Sequence, residues 1–130
     1  MFIQYKNSKI HYVVHGEGPA LVLLHGFMED LSMWDAFIPE LCKKSKVIRI
    51  DLLGHGKSDC ISNVHSMETM AEAVISVLRF LNIENMALVG HSMGGYVALA
   101  LAEKQPNLMK DLVLLNSTFE ADTKERKELR

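Results

Sequence analysis

Four short, nearly continuous apolar runs recur along this chain: Ala20 to His25 (ALVLLH), Lys46 to Asp51 (KVIRID), Asn85 to Gly90 (NMALVG) and Asp111 to Asn116 (DLVLLN). A half-buried strand alternates apolar and polar residues, so runs without alternation point to strands covered on both faces, as in a parallel sheet. Helical segments separate them. Ser32 is positioned to cap a short helix presenting Trp34, Phe37, Ile38 and Leu41, with Pro39 near its end. Ser66 is a candidate N-cap for a second helix, in which Glu68 suits the positive end and Met67, Met70, Ala71, Val74, Val77, Leu78 and Leu81 recur at helical spacing. A third, from about Met93 to Gln105, is apolar nearly all round and stops before Pro106, so it is expected to be buried. Ahead of these, residues 2 to 6 and 10 to 15 read as an antiparallel hairpin around an Asn-Ser turn. Strands alternating with crossover helices give an α/β doubly wound, mostly parallel sheet, whose ligands sit outside the carboxyl ends of the strands.

Composition narrows the partners. With 130 residues, 48% hydrophobic and 23% charged, the chain is one domain at most and can bury a core. No repeat, low-complexity segment or linker divides it. The net charge of -2 is spread along the sequence, which speaks against nucleic acid or an anionic membrane and favours a small neutral or weakly charged ligand. No apolar run approaches the roughly 18 residues of a membrane span, and the first residues alternate where a secretion signal would carry a basic region and an apolar core. A cytoplasmic location is expected, in which Cys42 and Cys60 remain thiols. No His, Cys, Asp and Glu cluster has metal-ligand spacing, and no cofactor is indicated.

The chemistry is concentrated in Gly90-His91-Ser92-Met93-Gly94, which fits G-x-S-x-G and is followed by Gly95. The motif directly follows one predicted strand and opens a predicted helix, the setting in which a strained turn lifts a serine Oγ above the sheet edge. Side chains at Gly90 and Gly94 would collide with the neighbouring strand or helix across so tight a turn. The helix N-terminus adds partial positive charge beside a developing oxyanion. Gly56-Lys57-Ser58 raises a competing possibility, since it resembles the end of a phosphate-binding loop. Position 51, where that loop needs glycine, is Asp, and Asp59-Cys60-Ile61 does not open a helix, so the segment reads as a structural loop beside the site.

Three landmarks in order, Leu24-His25-Gly26-Phe27, Asp51-Leu52-Leu53-Gly54-His55-Gly56-Lys57-Ser58 and the GHSMGG turn, resemble the α/β-hydrolase family over nearly the whole chain. The resemblance implies a serine hydrolase with Ser92 as nucleophile and an oxyanion hole made by the backbone N–H groups of Phe27 and Met93. The substrate it implies is a small molecule with an ester, thioester or related carbonyl. Lyase or C–C hydrolase chemistry stays open, whereas a serine here argues against the dehalogenase and epoxide-hydrolase branches, which use aspartate. Met28 and Trp34 are candidates to line or support the pocket, with ordinary packing an equal alternative for each. In this family the acid and then the histidine follow the serine. All six histidines, His11, His15, His25, His55, His65 and His91, precede Ser92. His91 is expected to pack with its ring turned from the Oγ, and His25 and His55 to stabilise loops. Glu120 and Asp122 follow the sixth strand, a place from which some members of the family supply the acid, but the favoured reading of Glu120 to Arg130 is a solvated charged tail, the start of a cap region. The chain is therefore expected to be the N-terminal part of one hydrolase domain, truncated after the sixth strand, lacking the cap and C-terminal strands. Little activity of its own is expected, and self-association through an exposed sixth strand. The alternative is a non-catalytic module that binds a ligand or is completed by a partner chain.

Overall fold

In the computed structural model, which describes residues 1–128, the chain opens with β1 (Phe2–Tyr5) and β2 (Ser8–His15), an antiparallel hairpin. Its turn is Lys6-Asn7, one residue earlier than the Asn-Ser expectation: Lys6 takes the left-handed conformation (φ 52°) and Ser8 already pairs with Tyr5. Four further strands follow, β3 (Ala20–Leu24), β4 (Lys46–Ile50), β5 (Met86–His91) and β6 (Met109–Leu115). The strand order is β1-β2-β4-β3-β5-β6. The last four strands of that order are parallel, and β2 joins them antiparallel to β4.

Three helices cover the sheet, and the continuous apolar runs serve both faces at once. Val22, Leu24, Ile48, Ile50 and Leu88 point into the larger core against α2 (Met67–Phe80) and α3 (Met93–Lys104). Leu23 and Val47 point the opposite way, onto Trp34 and Ile38 of the segment ending in α1 (Ile38–Leu41), with Leu21 and Val89 at its margin. Each such fully buried Leu, Ile or Val stabilises the fold by roughly 1.5–3 kcal/mol relative to exposure. Ser66 caps α2 as the sequence suggests, its Oγ accepting the Thr69 N–H at 3.1 Å. In α3, Val97, Ala98 and Leu101 are wholly buried between β5 and α2, and Tyr96, Leu99 and Ala102 are half-buried, so the middle of this helix has no fully exposed side chain.

The segment between β3 and β4 differs from expectation. Its cap is Asp30, not Ser32: the Asp30 carboxylate accepts the Ser32 N–H at 2.8 Å, and hydrogen bonding to Ser32 lowers the Asp30 pKa. The chain then runs as a 3-10 helix over Leu31–Phe37 and becomes α-helical only at Ile38. Pro39 sits in the first turn of α1, where its missing N–H costs nothing, rather than near the end of one longer helix whose interior it would break. Beyond β6 lies a short helix, α4 (Lys124–Glu128).

Candidate active site

β5 ends at His91, α3 starts at Met93, and Ser92 between them has φ 50° and ψ −115°. A non-glycine residue keeps so unfavourable a conformation only when its surroundings over-determine it. Here they do. The Ser92 N–H donates to the Leu115 carbonyl (3.0 Å), and the Ser92 carbonyl accepts from the Gly95 N–H (2.9 Å) and from Ser117 Oγ (2.8 Å). A Cβ at Gly90 would press into the Gly94 carbonyl, and one at Gly94 would lie 2.6 Å from the His25 carbonyl oxygen. Backbone cannot yield as a flexible side chain can, so both positions require glycine.

Ser92 opens onto a cavity of about 720 Å³ at the carboxyl ends of the strands. Phe27, Val64, Met67, Met70 and Met93 supply an apolar wall, while His55, His65, Tyr96 and Asp122 bring polar groups. A second, more polar recess of about 510 Å³ shares Ser92 and Tyr96 and adds Asn116, Ser117, Thr118 and Arg126. The serine thus stands where an apolar and a polar compartment meet. Phe27 follows β3 on the other side of the site, its ring edge-on to His55 at 5.8 Å. Among the described residues no hydrogen bond is found from the main-chain N–H of either Phe27 or Met93, the first residue of α3. The neighbouring Gly26 N–H, by contrast, is bound to Glu29.

A family model described as the alpha/beta hydrolase fold matches residues 19–129, most of the chain. The chain belongs to the α/β-hydrolase fold family. It is 31% identical over 113 residues to an (E)-2-((N-methylformamido)methylene)succinate hydrolase of Acinetobacter baylyi, which covers 87% of this chain and 43% of that protein. With a pimeloyl-(acyl-carrier protein) methyl ester esterase of Nitrosomonas europaea it shares 35% identity over 112 residues, covering 85% and 42% of the two chains. A thermophilic esterase of Thermogutta terrifontis superimposes with a TM-score of 0.90 at 36% identity, covering 94% of this chain and 45% of that one. The chain spans less than half the length of the curated relatives it matches.

Within this α/β-hydrolase sheet the histidines have separate duties. His25 is fully buried: its Nε2 accepts the Leu52 N–H at 2.9 Å, which leaves Nδ1 protonated to donate to the Gly26 carbonyl at 2.7 Å. Both nitrogens are committed, and burial lowers the pKa. His25 thus holds the loops after β3 and β4 together, as the sequence suggested, and is not a base. His11 pairs with Asp51 (2.8 Å), whose carboxylate also accepts the N–H groups of Leu31 (2.8 Å) and Lys57 (2.9 Å). The glycine-rich loop after β4 therefore wraps its own carboxylate, which settles its structural role against a phosphate site. His65 accepts the Ile61 N–H at 3.1 Å, and burial, then His55, lowers its pKa. His55 binds the Leu53 carbonyl through Nδ1 (3.0 Å) and faces the Ser92 cavity.

Three expectations need correction. His91 is more than packing: its Nδ1 meets Glu29 Oε2 at 2.9 Å, because alternation along β5 turns it to the side opposite the Ser92 turn, where the β3 loop lies. Trp34 follows the packing alternative: it is buried with Leu23, Ile38 and Val47 on the far face and does not line the Ser92 pocket. Met28 is exposed and borders a groove with Phe27 and His55 that Ser92 does not line. Asp122 is not simply solvated, since it accepts a hydrogen bond from Tyr96 OH at 3.0 Å, and both line the Ser92 cavity. Tyr96 lies four residues after Ser92, a spacing that puts both at one face of the helix start; that was the available signal. Among the described residues no three His, Cys, Asp or Glu side chains are grouped to hold a metal ion, and no helix is long and apolar enough to cross a membrane.

Proposed function

We propose that the chain is the nucleophile-bearing part of a serine hydrolase acting on an ester, thioester or related carbonyl compound. The observation that carries this is the over-determined strain at Ser92, beside two main-chain N–H groups, of Phe27 and Met93, with no partner among the described residues. Ser92 Oγ attacks the carbonyl carbon, and the tetrahedral oxyanion is received by those two N–H groups and the positive end of α3. Collapse expels the alcohol or thiol, which takes the proton removed from Oγ, and water then cleaves the acyl-serine by the same route. The apolar wall formed by Phe27, Met67, Met70 and Met93 suits the hydrocarbon part of a substrate, and the recess with Arg126 suits its polar part. The hydrolase and esterase names of the relatives support this class. No cofactor enters the scheme. Free thiols at Cys42 and Cys60 are in keeping with a cytoplasmic setting.

A base is still required, because serine is a weak nucleophile without one. His25, His11, His65 and His91 are each tied to a structural partner, His15 is exposed at the end of β2 and does not line the Ser92 cavity, and His55, which does, has its Nδ1 on the Leu53 carbonyl and not on a carboxylate, so we place the activating histidine and its acid in polypeptide beyond these 130 residues. The same observation favours, as a second reading, a chain that becomes active only when a partner polypeptide completes the site. Acyl transfer is tested by treating a longer form of the protein, one that supplies a downstream acid and histidine, with an activated acetyl ester and mapping the adduct by mass spectrometry. An acetyl group on the peptide containing Ser92, lost in Ser92→Ala, is the expected result; acetylation confined to lysines would refute the assignment.

A further inference from the structure

Two loops must be held at a fixed separation if the Phe27 and Met93 N–H groups are to act on one oxygen atom. Phe27 lies in the loop after β3 and Met93 follows the turn after β5, and the two loops are joined by a single carboxylate. Glu29 Oε2 accepts the Gly26 N–H at 2.7 Å and meets His91 Nδ1 at 2.9 Å. Gly26 is the residue before Phe27, and His91 is the residue before Ser92. The Glu29 N–H also closes the loop on itself by donating to the Gly26 carbonyl at 3.4 Å. The fit is tight: a Cβ at Gly26 would stand 2.5 Å from Glu29 Oε2 and 3.0 Å from His91 Nδ1. The Glu29–His91 contact is partly sheltered, with side-chain exposures of 19% for His91 and 35% for Glu29. A surface pair with that exposure adds little to global stability. Its bond to a main-chain N–H is charge-assisted and directional, which makes it better suited to fixing geometry than to holding the fold.

We propose that Glu29 is a positioning residue for the oxyanion hole: its carboxylate clasps the Gly26 N–H and the His91 imidazole, and so sets the spacing of the Phe27 and Met93 N–H groups. This rests on the serine-hydrolase reading above. Glu29 touches no reacting atom. It keeps the loop after β3 from drifting away from the turn, and it draws the Gly26 peptide into the orientation from which the next N–H faces the site. Truncation of either end should open the clasp, whereas a substitute that can still donate from position 91 should keep it. The His91 side chain is needed only as a donor, so an amide at that position can replace it.

The test has a structural and a kinetic arm. In two-dimensional NMR spectra of the 130-residue protein, hydrogen exchange at the Gly26 and Phe27 amides is compared in the parent, Glu29→Ala, His91→Ala and His91→Gln. Both alanine variants should speed exchange at Gly26 by at least tenfold and shift the Phe27 and Met93 resonances, and His91→Gln should restore the parent values. Unchanged exchange and shifts in Glu29→Ala, or a His91→Gln variant no better than His91→Ala, would overturn the clasp. In a longer form of the protein that hydrolyses esters in a Ser92-dependent manner, Glu29→Ala should lower kcat about tenfold or more with KM little changed, the pattern of weakened transition-state contacts. A fall confined to KM would also overturn it. If no form shows Ser92-dependent hydrolysis, the functional reading fails on its own, and the exchange data still decide whether Glu29 ties the two loops.

Discussion

Gly94 and His25 meet across the gap between α3 and β3, and each leads to a measurable consequence. The Cβ of Gly94→Ala would meet the His25 and Leu24 carbonyl oxygens at 2.6 and 2.7 Å, all of it backbone. Such overpacking costs about 1–3 kcal/mol, so the urea midpoint should fall accordingly. His25→Ala strands the buried Leu52 N–H and should cost a similar 1–3 kcal/mol or so. Its pH dependence has a definite sign. Burial lowers the folded-state pKa from 6.5, so the unfolded chain binds the proton more readily. The stabilisation is then complete above the unfolded value and is lost as pH falls from there through the folded value. Urea titrations at pH 7.5 and in mild acid should show the parent losing more stability than His25→Ala over that interval. Ser92 and the need for glycine at Gly90 and Gly94 were legible in the sequence because the elbow is contiguous. Glu29 and Tyr96 were not singled out, and Asp122 was read as a tail residue, because their partners, His91, Asp122 and Tyr96, are distant in sequence or lie in a segment whose composition looks solvated.

Strands and their order along the chain followed from the apolar runs, and the two long helices from periodicity and the Ser66 cap. The segment from Leu31 to Leu41 did not, because apolar spacing cannot separate a 3-10 helix from an α-helix, and Asp30, two residues earlier and as good a cap former, takes the cap position by accepting the N–H of Ser32 itself. β6 carries a further prediction. It pairs with β5 on one side only, and Val113 and Leu115 are among the exposed apolar side chains. An apolar edge with unpaired ladder groups is a template for another strand. The 130-residue protein is therefore expected to self-associate through β6. Light scattering over a dilution series should show dimers or larger species, and Val113→Lys should shift them toward monomer; a parent that stays monomeric at high concentration would rule this out.

At the scale of the molecule, both faces of the sheet are covered and the cavity opens at its carboxyl edge, where Ser92, Phe27 and Met93 converge from two loops and one helix start. Because the relatives are more than twice as long, the proposed reaction belongs to a longer polypeptide, to which, in this proposal, the chain would bring Ser92 as nucleophile and the Phe27 and Met93 N–H groups as oxyanion donors. The most direct measurement is the rate of hydrolysis of a short activated ester by this chain, by a longer chain that supplies a downstream acid and histidine, and by the Ser92→Ala variant of each. The 130-residue chain should show at most a residual acceleration of roughly 10³ to 10⁴ over water, the level left when a triad member is lost. The longer chain should be faster by orders of magnitude and should fall to the residual level in Ser92→Ala. Hydrolysis by the longer chain that is unaffected by Ser92→Ala would contradict the account.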